Sequence, residues 1–304
     1  MEGSPVVIQA LKCPSCGAPA PLGGWPLAPC AFCGSTLASD VRDLASHAPE
    51  DAPRIDLGGR RYALLGLLAR GERSDVFLGK RDARLTEMVV VKLLRDREDE
   101  ASLAAEWRAI EALERSEIQG AEYFTTLLPQ RVAHGLASTR RGARFASVFR
   151  WRSGFQHTLE DVRAAHPGGV DPRTGVWIWK RTLELLGWVH RSGWVHGNLL
   201  PAHVLVHPRD HGVLFAGWSR ATRSADVAPD VAATARSLIH VLGGDPARGT
   251  LPLSVPEPLG VLLSRHADPD DRTEDAWQLL ERVGAAGREA YGPPAYHRLD
   301  MPGW

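Results

Sequence analysis

The segments Cys13-Pro14-Ser15-Cys16-Gly17 and Cys30-Ala31-Phe32-Cys33-Gly34 hold all four cysteines, as two pairs with two residues inside each pair and thirteen residues between the pairs. Two intervening residues let both sulfurs of a pair face one ion, and the glycine that follows lets the backbone turn around it. Four thiolates at this spacing suit a tetrahedral, structural Zn²⁺. Two disulfides are the competing chemistry, which a reducing compartment disfavours. A second group that demands an explanation is Lys92, inside the run Glu87-Met88-Val89-Val90-Val91-Lys92-Leu93-Leu94, whose β-branched residues predict a strand. An ammonium in an apolar strand requires a counter-charge. Downstream, Leu103, Trp107, Ile110 and Leu113 recur at helical spacing, and Glu106 lies on the same face. Lys92 and Glu106 are therefore expected to pair.

The cysteine segment resembles a zinc ribbon, to which residues 1–37 are assigned. A segment this short cannot bury a sufficient core alone, whereas structural Zn²⁺ supplies about 10–16 kcal/mol in small finger peptides. Across residues 1–40 Lys12 is the one basic side chain, set against Glu2 and Asp40. Such a balance argues against phosphate binding and favours a protein contact or an architectural role. Residues 38–59 have weak periodicity and read as a linker. Over all 304 residues, 36 Lys and Arg balance 36 Asp and Glu, so no net field recruits nucleic acid or an acidic membrane surface. The first residues lack a basic start followed by a long apolar run, and no later segment approaches membrane-spanning length. A cytoplasmic protein is expected.

Tyr62–Leu68 and Asp75–Lys80 read as strands around the turn Ala69-Arg70-Gly71-Glu72-Arg73-Ser74, and Arg144–Arg150 reads as another strand. A long helix is predicted from about Thr174 to Ser192, carrying Ile178, Leu185, Leu186 and Val189 at helical spacing. It leads into Val195-His196-Gly197-Asn198-Leu199-Leu200-Pro201-Ala202-His203-Val204-Leu205. A strand with Val213-Leu214-Phe215-Ala216-Gly217 follows, then a helical run through Asp230-Val231 to Gly243-Gly244.

Taken in order, these segments resemble a protein kinase whose chemistry has been removed. On that resemblance, Gly71 falls on the phosphate-covering loop, where Ala69 and Ser74 replace two further glycines. Lys92 and Glu106 match the family's strand-to-helix ion pair. In the catalytic loop, His196 falls on the motif's His and Gly197 replaces its Arg. Asn198 replaces the base Asp, His203 replaces the metal-binding Asn, and Ala216 replaces the Asp of Asp-Phe-Gly. An amide cannot accept a proton near neutral pH, and imidazole is a poor ligand for Mg²⁺. Arg272 resembles a late structural Arg of the family, and Trp151 and Trp218 are candidates for filling a nucleotide cleft.

The resemblance implies an α+β, two-lobed kinase-like fold over residues 60–304, with a β-rich lobe about 60–150, a mainly helical lobe about 155–304, and the ribbon in front. It implies a bacterial pseudokinase that regulates or scaffolds, with a protein partner engaged through the ribbon or the lobes. The competing expectation is an atypical ATP-dependent kinase or other phosphoryl or nucleotidyl transferase. ATP is the nucleotide implied, bound through Gly71, Lys92 and Glu106, and Mg²⁺ is not expected. His207 and His211 are read as surface residues, and Trp177, Trp179 and Trp188 as core.

Overall fold

The computed structural model describes residues 27–29, 36–38, 52–83, 87–96, 99–268, 270–271 and 274–301. The four cysteines and Arg272 lie outside the described residues. Strands β1 (Leu27–Pro29) and β2 (Thr36–Ala38) pair antiparallel, with Leu27 opposite Ala38 and Pro29 opposite Thr36. The chain divides into two compact units: residues 1–107, 130–152 and 302–304 form one, and residues 108–129 and 153–301 the other.

In the first unit, β3 (Arg54–Leu57), β4 (Arg60–Arg70), β5 (Ser74–Arg81), β6 (Met88–Leu94), β7 (Arg131–Thr139) and β8 (Gly142–Arg150) close into an antiparallel barrel of order β3-β4-β5-β6-β8-β7. The kinase-like fold expected from the motifs is thereby corrected. A closed six-stranded barrel with helices elsewhere is not the sheet lobe and helical lobe of a kinase. The closing element is β3, which lies inside the stretch read as a linker. It pairs on one edge with β4 and on the other with β7, placing Ile55 opposite both Tyr62 and Thr139. Its four residues alternate, with Ile55 and Leu57 buried inward. Bulges in β4 and at the start of β7 bend those strands, and such bends let a sheet curl onto itself. The interior is filled by Ile55, Leu57, Tyr62, Leu64, Val89, Val91, Leu93, Ala137, Ala146 and Val148. Alternation along β6 then turns Lys92 to the opposite face. Trp151 packs against a second apolar cluster, formed by Ala52, Ala63, Leu65 and Leu78.

Helix α1 (Glu100–Glu114) begins in the first unit and continues into the second. The second unit holds the short α2 (Ala121–Phe124), then β9 (His157–Thr158) and α3 (Leu159–Ala165), whose start is fixed by a capping box between Thr158 and Asp161. Its central helix is α4 (Pro172–Arg191), with Asp171 as N-cap and Pro172 in the first turn. Trp179 and Trp188 are each 1% exposed on it. β10 (Trp194–Val195), β11 (Val204–His207), β12 (Gly212–Phe215) and β13 (Thr222–Arg223) follow, then α5 (Ala228–Val241), α6 (Glu257–His266) and α7 (Ala276–Tyr291). β9, β11 and β12 form one small sheet, and β10 pairs with β13. α4 and α7 approach closely because Gly187 leaves room for the Trp277 indole and Gly287 for Val176. The segment after α7 packs onto this unit, burying Leu299 and Met301. No helix among the described residues is long and apolar enough to cross a membrane.

Candidate functional site

Two constellations carry the residues singled out in the sequence, one in each unit.

In the first unit, Lys92 Nζ lies 2.7 Å from Glu106 Oε2, with 19% and 3% of the two side chains exposed. Lys92 sits opposite Val76 on β5 and Ser147 on β8. Ser147 Oγ in turn bonds His134 Nδ1 at 2.8 Å. The His134 ring stacks on Trp107 at 4.9 Å, and the Arg131 guanidinium lies 4.9 Å from the same indole. Burial holds His134 below the ordinary histidine range, although the Glu106 and Glu100 carboxylates pull it upward. The first part of α1 is thus fastened to the barrel by an ion pair and an aromatic stack. Removing one partner of a pair this dry leaves a charge unsatisfied. Lys92→Met should cost about 2 kcal/mol, and the double variant Lys92→Met with Glu106→Leu less than the two single losses together. Chemical denaturation of the four proteins measures that coupling.

Gly71 does close the β4–β5 turn, but its N–H already donates to the Ser74 carbonyl at 2.8 Å. Arg95 holds the other side of the turn, reaching the Gly71 carbonyl at 2.6 Å and Asp75 Oδ1 at 2.9 Å. The loop is therefore organised by its own strands.

In the second unit, β10, β11 and β12 bring Asn198, His203 and Ala216 together. His196 is fully buried. Its Nε2–H donates to the Ala216 carbonyl at 3.1 Å, and its Nδ1 accepts the Asn198 N–H at 3.2 Å. Both ring nitrogens are thus satisfied in the neutral form. Burial is the main reason that its pKa falls to about 4, against the upward pull of Asp230. His203 Nδ1–H donates to the Asn198 carbonyl at 2.8 Å, and the Ala216 N–H to the His203 carbonyl at 2.8 Å. Asn198 Nδ2 reaches the Gly217 carbonyl at 3.4 Å.

Asp230, in the first turn of α5, holds this loop. Its Oδ2 accepts the His196 N–H at 2.6 Å and lies 3.2 Å from His190 Nε2, while Oδ1 accepts the Gly197 N–H at 2.8 Å. Burial alone would raise this carboxyl. The bond from His190, the adjacent imidazoles and the backbone amide outweigh it and leave the pKa below the usual aspartate value. Gly197 has φ 68°, and a Cβ there would stand 2.7 Å from the Arg220 carbonyl, so this turn requires glycine. Trp218 is wholly buried in the same unit, 4.4 Å from the His196 ring, with its Nε1–H on the Phe215 carbonyl at 2.9 Å.

The chemistry of this loop is limited. The carboxylate that reaches it, Asp230 from α5, is occupied by backbone amides and a histidine. Asn198, His203 and Ala216 supply neither a carboxylate base nor an oxygen-rich cage for Mg²⁺. Among the described residues no group of three or more His, Cys, Asp or Glu side chains is placed to hold a metal ion.

Sequence reasoning did not find Asp230, His190, His134 or Arg95. Asp230 had one usable signal, a carboxylate opening a helix whose following residues are almost all small or apolar. His207 and His211 are not the surface residues that their turn suggested. His207 is 9% exposed and packs edge-on to Phe155. His211 lies between Trp177 and Tyr296.

Compared with known proteins, the chain is matched by no protein-family model and by no curated protein.

Proposed function

We propose that the chain is a non-catalytic regulatory or scaffolding protein of the cytoplasm, kinase-like in its site motifs and not in its fold. The observation that carries this reading is the Asp230 carboxylate of α5, occupied by the amides of a loop in which Asn198, His203 and Ala216 offer no base and no Mg²⁺ ligand. The hydrogen-bonded loop then serves as a supporting element for a protein-binding surface. Melting in ATP, with and without Mg²⁺, tests it. Any ligand at 100 times its Kd stabilises by about 2.7 kcal/mol, enough to move the transition by several degrees. The melting temperature in ATP plus Mg²⁺ is expected to equal that in ATP alone. A shift that requires the metal would overturn the reading in favour of a transferase.

Structural Zn²⁺ belongs to the same proposal. The support is the spacing of Cys13, Cys16, Cys30 and Cys33, two pairs each with two intervening residues, which suits a four-thiolate site. Elemental analysis should find one zinc per chain in the wild type and none in Cys30→Ser, and a metal-free wild type would remove the ribbon.

A further inference from the structure

A groove of about 610 Å³ runs between α4 and α7, lined by Trp177, Lys180 and Arg181 on one side and by Leu280, Glu281 and Arg288 on the other. This volume is in the range of small-ligand sites. Two of its cations converge. Arg288 Nη1 stands 3.6 Å, and Lys180 Nζ 3.8 Å, from the point where a Cβ on Gly284 would be. No carboxylate among the described residues pairs with either one. Arg181 differs, being held by Glu184 at 2.7 Å.

One wall is fixed in advance. The His211 ring stacks between Trp177 at 4.2 Å and Tyr296 at 4.6 Å, and its Nε2–H donates to the His297 carbonyl at 2.8 Å. Its backbone has φ 52°, making it the one described non-glycine residue with a positive φ. Such conformations persist where the surroundings hold them, and they cluster at binding sites. Two cations without a paired carboxylate, over a glycine and beside an aromatic wall, suit one compact anion with an organic part.

We propose that this groove binds a small phosphomonoester, its phosphate between Lys180 and Arg288 and its organic part against Leu280 and Trp177. Glu281 lines the same groove without a cation of its own and would repel an extended polyanion. That excludes polyphosphates and acidic peptides as the preferred ligands.

Calorimetric titration of the full chain at constant ionic strength tests the proposal, with inorganic phosphate and phenyl phosphate as probes. Saturable binding of one equivalent is expected, tighter for the ester. Lys180→Gln and Arg288→Gln should each weaken it about tenfold, the usual scale for losing one charge-assisted bond. Both side chains reach solvent, so circular dichroism and melting of the variants should match the wild type. Glu281→Gln should tighten binding. Absence of saturable binding for either probe, or equal affinity in the wild type and both cation variants, would overturn the site. Equal affinity for phosphate and the ester would overturn the assignment of an organic subsite.

Discussion

Asp230→Asn should lower the stability of the second unit by about 3–5 kcal/mol, the scale on which buried, hydrogen-bonded charges fail when their pairing is broken. The carboxylate receives three donors from two directions, the amides of His196 and Gly197 and the ring of His190. An asparagine amide has one acceptor oxygen, so its NH₂ would face a backbone N–H and leave that N–H unsatisfied in a buried place. The expected fall in melting temperature is about 10 °C. The amides of residues 196–198 should also lose protection against hydrogen exchange ahead of the rest of the unit. A variant that melts with the wild type would show that the loop is held by something other than Asp230.

The second large effect is a loss of stability in mild acid. His196 and His157 are held by burial at about 4, against 6.5 for an unstrained histidine. Between those values the unfolded chain binds protons on both imidazoles and the folded chain does not, so stability falls as pH falls through the window. The loss is complete near pH 4 and amounts to about 3 kcal/mol for His196. Asp230 acts in a separate window and through the opposite case. Its folded pKa lies below 3.8, so its contribution is present above that value and disappears as pH falls through the lower, folded one. Melting temperatures taken at steps from pH 7 to pH 5, above the range in which ordinary carboxylates titrate, should therefore already decline. His157→Gln should shallow the slope, and a flat profile over this range would contradict the buried, neutral state of the two rings.

Much of the local structure was legible in the residues. The β-branched run around Lys92 forms a strand over Met88–Leu94, and the predicted Thr174–Ser192 helix forms over Pro172–Arg191. Lys92 and Glu106 could be paired in advance because a charge on an apolar strand needs a partner and a nearby amphipathic helix offered one. The barrel could not be read in this way. Its closure depends on β3, where Arg54-Ile55-Asp56-Leu57 gives a single alternation, and on pairing with residues 138 and 139 far along the chain. Motif order pointed to a kinase because motifs record local sequence, while strand closure is a long-range property that no motif contains. The same limit hid the partners of the site. Asp230 meets His196 across 34 residues and Arg95 meets Gly71 across 24, with no periodicity to link them. His211 was read from its turn, whereas its environment is set by Trp177 and Tyr296.

The proposed function requires that this loop carry no phosphoryl-transfer chemistry. Its most direct test is incubation of the purified chain with radiolabelled ATP and Mg²⁺ or Mn²⁺, following transfer of the terminal phosphate to the chain itself or to generic protein acceptors. Incorporation no greater than in a blank without protein is expected. Incorporation that rises with time and disappears in Lys92→Ala would contradict it.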